Sequence, residues 1–178
     1  MEVADAVAQR WSPRAYDPKP VSDADLTQIF EAGRSAHSCN NEQPWRFLIA
    51  KKNAGPARET LESFLAEGNA YAKNAWILGI SFGKKTFTRN SKPNRHDGHD
   101  VGAASQAMSL RAFSMGINMR FMAGFDAEAA AKLAPPDFEP FAMFVIGYKT
   151  AAETKPPRTR NPLGDQYFEN EWGNSWKG

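Results

Sequence analysis

Residues 75–82, with the sequence AWILGISF, are mostly apolar at both the odd and the even positions. Successive side chains of a β-strand point to opposite faces of the sheet, so a strand of this kind has to be covered on both faces. We therefore predict a buried central strand here. Three further runs predict strands beside it: residues 45–50, residues 117–122 and residues 141–148.

Helices are predicted between these strands from capping residues and from apolar side chains spaced three and four residues apart. They comprise residues 2–9, a helix capped by Ser22, a helix starting at Gly55 and Pro56, residues 101–116, and a helix from Asp126 to Leu133. Residues 86–100 are polar and predict a mobile connection.

Length and composition limit the class of protein. The 178 residues fit one domain, and 22 basic against 20 acidic residues give no case for a nucleic-acid partner. The single cysteine, Cys39, excludes an internal disulfide and fits a reducing cytoplasm. No apolar run reaches the roughly 18 residues of a membrane span, so we expect a cytoplasmic protein that does not enter the membrane.

A polar cluster precedes the strand predicted at residues 45–50. Ser38, Asn40, Asn41 and Gln43 offer hydrogen-bond donors and acceptors immediately before Pro44. Hydrogen-bonding loops at strand ends are common ligand sites. The alternative is an ordinary asparagine-rich turn.

Two short basic patterns lie near opposite ends of the chain. Arg10, Ser12 and Arg14 alternate in a proline-rich stretch, so that in extended chain they project to one side. Arg158 and Arg160 repeat the pattern. Guanidinium groups bind phosphate with paired hydrogen bonds, which makes a phosphate the candidate ligand; solvated arginines are the alternative.

Residues 151–178 differ from the rest of the chain. They contain three prolines together with large aromatic residues such as Trp172 and Trp176, which favour burial against another surface. We predict a core at residues 1–150 and an extended C-terminal arm at residues 151–178, which packs on a partner subunit as part of the same domain.

Two other motifs lack the spacing that their ligands require. The stretch GISFGKKT lacks the second glycine of a phosphate-binding loop, since Lys84 stands at that position. Residues 96–100, HDGHD, contain two imidazoles and two carboxylates without the spacing of a structural zinc site, so no metal is expected.

Four stretches in order resemble the nitroreductase-like family of FMN-dependent oxidoreductases. They are RWSPRAYDPKPV, SCNNEQPWRF, DVGAASQAMSLRAFSMGINMRFMAGFD and RTRNPLGDQYFENEW, and they span residues 10–176. The resemblance implies an α+β fold, in which helices flank a mixed central β-sheet. It also implies an intertwined homodimer with an extended C-terminal arm and with FMN at each subunit boundary.

The resemblance also implies roles for individual residues. Arg10, Ser12 and Arg14 match the contacts to the phosphate and ribityl chain, and Arg158 and Arg160 match a basic pair that completes the phosphate site. Ser38, Cys39 and Asn40 match a loop that reaches the flavin ring from the other subunit. Ala123 and Gly124 match backbone amides that face the flavin edge near N5, and Asn69 matches an asparagine that contacts the ring. No catalytic side chain is implied, because a flavin carries the redox chemistry itself.

The function implied is hydride transfer from NAD(P)H through FMN to an electron-poor small-molecule acceptor, such as a nitroaromatic or a quinone, with ping-pong kinetics. A flavin-dependent dehydrogenase that oxidises a peptide or ring substrate, or an FMN-binding protein without turnover, are the alternatives. His37 and Glu42 depart from the residues usual in the family. The sequence identifies neither the acceptor nor the direction of the reaction. It also does not distinguish NADH from NADPH, because it has no Rossmann fingerprint.

Overall fold

The computed structural model describes residues 2–177, so Met1 of the predicted core and Gly178 of the predicted arm lie outside it. The helices are α1 (Val3–Gln9), α2 (Asp23–Arg34), α3 (Pro56–Ser63), α4 (Asp97–Ser114) and α5 (Ala127–Ala131). The strands are β1 (Tyr16–Asp17), β2 (Trp45–Lys51), β3 (Ile77–Lys84), β4 (Asn118–Met122) and β5 (Phe138–Lys149). Within residues 2–177, no helix is both long enough and apolar enough to cross a bilayer.

The long strand β5 organises the sheet. It pairs with β3 along one edge and with β4 along the other, while β1 pairs with its last residues and β2 pairs with β3. All of these pairings between the described strands are antiparallel. The predicted α+β fold with flanking helices is thus confirmed, but the sheet formed by these strands is antiparallel and not mixed.

Both faces of the sheet are covered, which explains why β3 is apolar at odd and even positions alike. Ile77 packs on the side of α2 and α4 with Phe144, whereas Leu78 and Ile80 pack in a second cluster on the opposite face, near Leu61 of α3. All of β3 except its last residue is buried, as the sequence predicted for a central strand.

Local signals in the sequence fix several helix ends. Ser22 accepts a hydrogen bond from the Asp25 N–H at 3.1 Å and so caps α2, and Asp126 caps α5 by accepting from the Ala129 N–H at 2.9 Å. The helix predicted to start at Gly55 and Pro56 begins at Pro56. The three predicted helix starts are confirmed. The sequence could predict them because each start depends only on residues within one turn of the helix.

The region of residues 86–100 differs from the prediction of a mobile connection. Thr86 bridges to Pro93, and the Phe87 N–H donates to the Lys92 carbonyl at 2.9 Å, which makes a short hairpin. Helix α4 begins at Asp97, four residues before its predicted start. Asn94, Asp97 and Asp100 are buried, so polar residues that resemble a loop in the sequence are held inside the fold.

A buried arginine joins α3 to the segment before β3. The guanidinium of Arg58 is only 3% exposed and forms an ion pair with Glu62 at 2.8 Å. It also donates to five backbone carbonyls, those of Ala50, Ala72, Lys73, Ala75 and Trp76, at 3.0–3.5 Å. Since buried carbonyls need donors, this single side chain helps to satisfy the carbonyls of the bend at residues 72–76.

Residues 151–177 contain little regular structure. They include a 3₁₀ turn at Leu163–Asp165 and an isolated bridge between Phe168 and Ser175. Trp172 is 91% exposed and Trp176 is 49% exposed. The packing of this arm on a second subunit remains a prediction.

Candidate functional site

Three arginines from the two ends of the chain come together. Arg10, at the end of α1, is half-buried, and its pKa is lowered first by that burial and then by the positive charges of Arg158 and Arg160. The three line one recess of about 510 Å³, together with Lys155. A charged group that is both desolvated and repelled by its neighbours is stabilised by an anion, so this arrangement fits a phosphate.

A second recess of about 550 Å³ adjoins the first, since Arg158 lines both. Ser12 and Arg14 lie along it, with Arg120 of β4. Arg10 Nη1 donates to Ser12 Oγ at 3.4 Å, which links the two recesses. The structure thus places the five phosphate-site candidates of the sequence around two neighbouring recesses.

A chain of hydrogen bonds runs from the second recess to the end of β4. Arg120 donates from Nη1 to the Ser12 carbonyl at 2.8 Å and from Nε to the Tyr71 hydroxyl at 2.6 Å. The Tyr71 hydroxyl donates to Asn69 Oδ1 at 3.0 Å, and Asn69 Nδ2 donates to the Gly124 carbonyl at 2.8 Å. Three residues singled out in the sequence, Ser12, Asn69 and Gly124, are therefore connected by two that were not, Tyr71 and Arg120.

Ala123 and Gly124 present their backbone at the exposed end of this chain of bonds. Within residues 2–177, neither N–H donates to a backbone or side-chain acceptor. A Cβ atom at position 124 would lie 3.1 Å from Asn69 Nδ2, so a glycine there leaves room for the asparagine. Two free N–H groups on an exposed edge can bind an acceptor atom of a ligand.

The loop that carries Ser38, Cys39 and Asn40 lies elsewhere, against the start of α4. The Cys39 N–H donates to Asp100 Oδ2 at 3.0 Å, and the Gln43 N–H donates to Ser38 Oγ at 3.0 Å. Asn40, Asn41 and Gln43 all have positive φ, between 50° and 55°. Non-glycine residues in this conformation are strained, and such strain is concentrated at ligand-binding sites.

Comparison with known proteins gives the family. The sequence model of the nitroreductase family matches residues 7–75. A solved structure described as an oxidoreductase containing FMN is 30% identical, with a TM-score of 0.87, and the match covers 97% of this chain and 93% of that one. A protein of Mycolicibacterium smegmatis, described as an uncharacterized 15.4 kDa protein in the ask 5′ region, is 32% identical over 72% of this chain and 98% of its own length.

The chain belongs to the nitroreductase family. A shorter match, 40% identical over 50 residues, is to the major NAD(P)H-flavin oxidoreductase of Aliivibrio fischeri and covers 28% of this chain and 23% of that protein. The chain is thus an oxidoreductase of the nitroreductase family, and the similar solved structure with a TM-score of 0.87 is described as containing FMN.

The residues of this nitroreductase-family chain fit FMN on two independent observations. The destabilised guanidinium of Arg10 beside Arg158 and Arg160 matches a dianionic phosphate. The free N–H groups of Ala123 and Gly124 match an acceptor atom of a ring. The hydrogen bonds of the Ser38–Asn40 loop run to Asp100 of α4 and within the loop itself, and its contact with the flavin of the other subunit remains a prediction.

Sequence reasoning missed Tyr71, Arg120 and Asp100. Arg120 lies 49 residues from Tyr71 and 108 from Ser12, so no spacing along the chain connects them. Asp100 was placed in a connection, although it is 1% exposed and holds the Cys39 N–H. The one available signal was its position three residues after another acid, Asp97, which is compatible with the first turn of a helix.

Proposed function

We propose that this protein is an FMN-dependent oxidoreductase that passes a hydride from NAD(P)H through bound flavin to an electron-poor organic acceptor, such as a nitroaromatic or a quinone. The observation that carries the proposal is the convergence of Arg10, Arg158 and Arg160, which come from opposite ends of the chain. The FMN-containing structural relative and the NAD(P)H-flavin oxidoreductase of Aliivibrio fischeri support it.

In this proposal the arginine recess binds the phosphate of FMN, and Ser12 and Arg14 extend that site toward the ribityl chain. When bound, FMN supplies the hydride-accepting and hydride-donating chemistry. Asn69 and the N–H groups of Ala123 and Gly124 then orient the ring by hydrogen bonds. The positive charge of Arg120 polarises the hydrogen bonds that run through Tyr71 to Asn69, and this favours negative charge at that edge of the site.

We further propose that the protein is a homodimer. The apolar side chains of Leu163, Tyr167, Trp172 and Trp176 are between 49% and 91% exposed in the single chain, which favours burial against a second copy. The strained loop of residues 38–43 would then face the flavin of the partner subunit. Light scattering of the purified protein should give about twice the mass of the 178-residue chain.

Donor and acceptor are expected to use the same exposed face of the site. A hydride donor has to approach to roughly 3–3.5 Å, and an acceptor cannot occupy that space simultaneously. The described chain offers one arginine recess at this site and no second nucleotide fingerprint in its sequence. The donor product therefore leaves before the acceptor binds.

Initial rates measured at several donor and acceptor concentrations test this proposal. We expect parallel double-reciprocal lines with menadione or a nitrofuran as the acceptor. Intersecting lines would contradict the shared face. Bound flavin without consumption of NADH or NADPH would favour a binding protein, or a dehydrogenase that acts on a different electron donor.

A further inference from the structure

The segment that follows β3 has the strongest local charge in the chain. Residues 84–95 contain five basic residues and no acidic one, although the whole chain has a net charge of only +2. The basic residues are Lys84, Lys85, Arg89, Lys92 and Arg95. The arginine recess contains none of these five residues.

The structure orders this segment as a hairpin, here called the basic hairpin and defined as residues 85–94. The Ser91 N–H donates to the Phe87 carbonyl at 2.8 Å, and the Asn94 N–H donates to the Lys85 carbonyl at 2.7 Å. Asn94 is 3% exposed and anchors the base of the hairpin in the fold. The basic side chains are therefore presented from a defined backbone and not from a free loop.

The charges near the tip are available to a ligand. Arg89 and Lys92 are exposed, and within residues 2–177 neither forms a salt bridge with a carboxylate. The Arg89 guanidinium lies over the Phe87 ring, 5.6 Å from its centroid, which limits the positions that it samples. A guanidinium held over a ring, on a hairpin whose other strand carries a second basic residue, is suited to a phosphate dianion.

Glu42 fastens the basic hairpin to the strained loop of residues 38–43. Its Oε1 atom accepts hydrogen bonds from the Thr88 N–H, at 2.8 Å, and from the Thr88 hydroxyl. Burial alone would raise the pKa of Glu42, but the bonds from Thr88 and the charges of Lys84 and Arg89 outweigh it and lower that pKa. Glu42 thus stays ionised near neutral pH and keeps the hairpin beside the loop predicted to reach the flavin.

We propose that the basic hairpin binds the 2′-phosphate of NADPH, and this inference rests on the proposed function. A dinucleotide whose nicotinamide lies at the flavin extends its adenosine end away from the reacting atoms. In Rossmann-fold proteins an acidic residue binds the ribose hydroxyls of NADH and an arginine accommodates the 2′-phosphate of NADPH, and the same charge preference applies to any site at this phosphate. The hairpin supplies Arg89 and Lys92 and has no acidic residue, so it favours NADPH over NADH.

Binding of adenosine phosphates to the purified flavin-loaded protein tests the hairpin without turnover. Isothermal titration should show adenosine 2′,5′-bisphosphate binding about tenfold more tightly than adenosine 5′-monophosphate, as expected for one added charge-assisted contact. The 3′,5′-bisphosphate isomer, with the same charge, should bind more weakly than the 2′,5′ isomer. The Arg89→Ala/Lys92→Ala variant should lose the preference, while Lys132→Ala, which replaces an exposed lysine immediately after α5, should keep it.

The same variants give a kinetic check. The ratio of kcat/KM for NADPH to that for NADH should fall about tenfold in Arg89→Ala/Lys92→Ala and should not change in Lys132→Ala. Equal binding of the two bisphosphate isomers, or a preference that survives in the double variant, would overturn the proposal.

Failure of the proposed function would look different. If adenosine 2′,5′-bisphosphate is preferred but neither nicotinamide is consumed, the hairpin binds its ligand and the proposed function is wrong. If both nicotinamides are consumed and no phosphate preference exists, the proposed function stands and the assignment of the hairpin is wrong.

Discussion

Replacing Arg158 by alanine should have opposite effects on the apoprotein and on flavin binding. In the apoprotein, Arg158 lowers the pKa of Arg10, which means that the two positive charges repel one another at a half-buried position. Removing one of them relieves that repulsion, so we expect the thermal midpoint of flavin-free Arg158→Ala to equal or exceed that of the wild type. The same arginine is expected to bind the FMN phosphate, so its loss should weaken the complex.

The magnitude follows from the contact that is lost. A hydrogen bond between charged groups contributes about 1.5–3 kcal/mol, and about 1.4 kcal/mol corresponds to a factor of ten in Kd. The Kd of FMN should therefore rise roughly 10- to 100-fold. The Kd of riboflavin, which lacks the phosphate, should change less than about threefold on the same scale.

The assay is fluorescence titration of apoprotein with FMN and with riboflavin, alongside differential scanning fluorimetry of the same samples. Arg34→Ala is a matched control, because Arg34 is exposed and pairs with Glu31 on α2. Equal weakening of FMN and riboflavin would refute the assignment of the phosphate to this recess. A lower thermal midpoint for the flavin-free variant would refute the repulsion.

Three further substitutions test other parts of the structure. Tyr71→Phe should lower the free energy of unfolding by about 1–3 kcal/mol in urea titration, because Arg120 Nε loses its acceptor; an unchanged value would contradict the hydrogen-bond chain. Arg58→Ala should cost about 3–5 kcal/mol, measured in the same way, since it removes a buried charge that serves five carbonyls; a cost below about 1 kcal/mol would exclude this role. Partial desolvation of the exposed Glu139, and then the nearby Asp97, raise its pKa, so its ionised form is disfavoured in the folded state, and stability is lost as pH rises above the unfolded pKa. Glu139→Gln should therefore raise the thermal midpoint at pH 7 and have little effect below pH about 4; the reverse pH dependence would be inconsistent with this coupling.

The parts of the fold that the sequence predicted depend on short-range patterns. The apolar run of β3 identified a strand covered on both faces, and Ser22 and Asp126 marked the starts of α2 and α5. The start of α4 was missed because Asp97 and Asp100 are polar, and their burial results from contacts with distant residues. No local pattern distinguishes a buried acid from a solvated one.

The same distinction between short-range patterns and distant contacts applies to the candidate site. The alternation of Arg10 with Arg14, and of Arg158 with Arg160, indicated a phosphate site, and the structure brings residues of the two stretches to adjoining recesses. Tyr71 was not predicted, because its role depends on the position of the strand that carries Arg120. The sequence thus indicated the ligand chemistry, whereas the side chains that connect its parts required the fold.

The most direct test of the proposed function is anaerobic titration of the purified protein with NADPH, followed in the flavin absorbance band. We predict yellow protein that releases about one FMN per chain on denaturation. It should bleach on addition of about one equivalent of NADPH, remain bleached without acceptor, and regain its colour when menadione is added. Protein that contains no FMN after reconstitution, or bound FMN that neither NADPH nor NADH bleaches, would contradict the account.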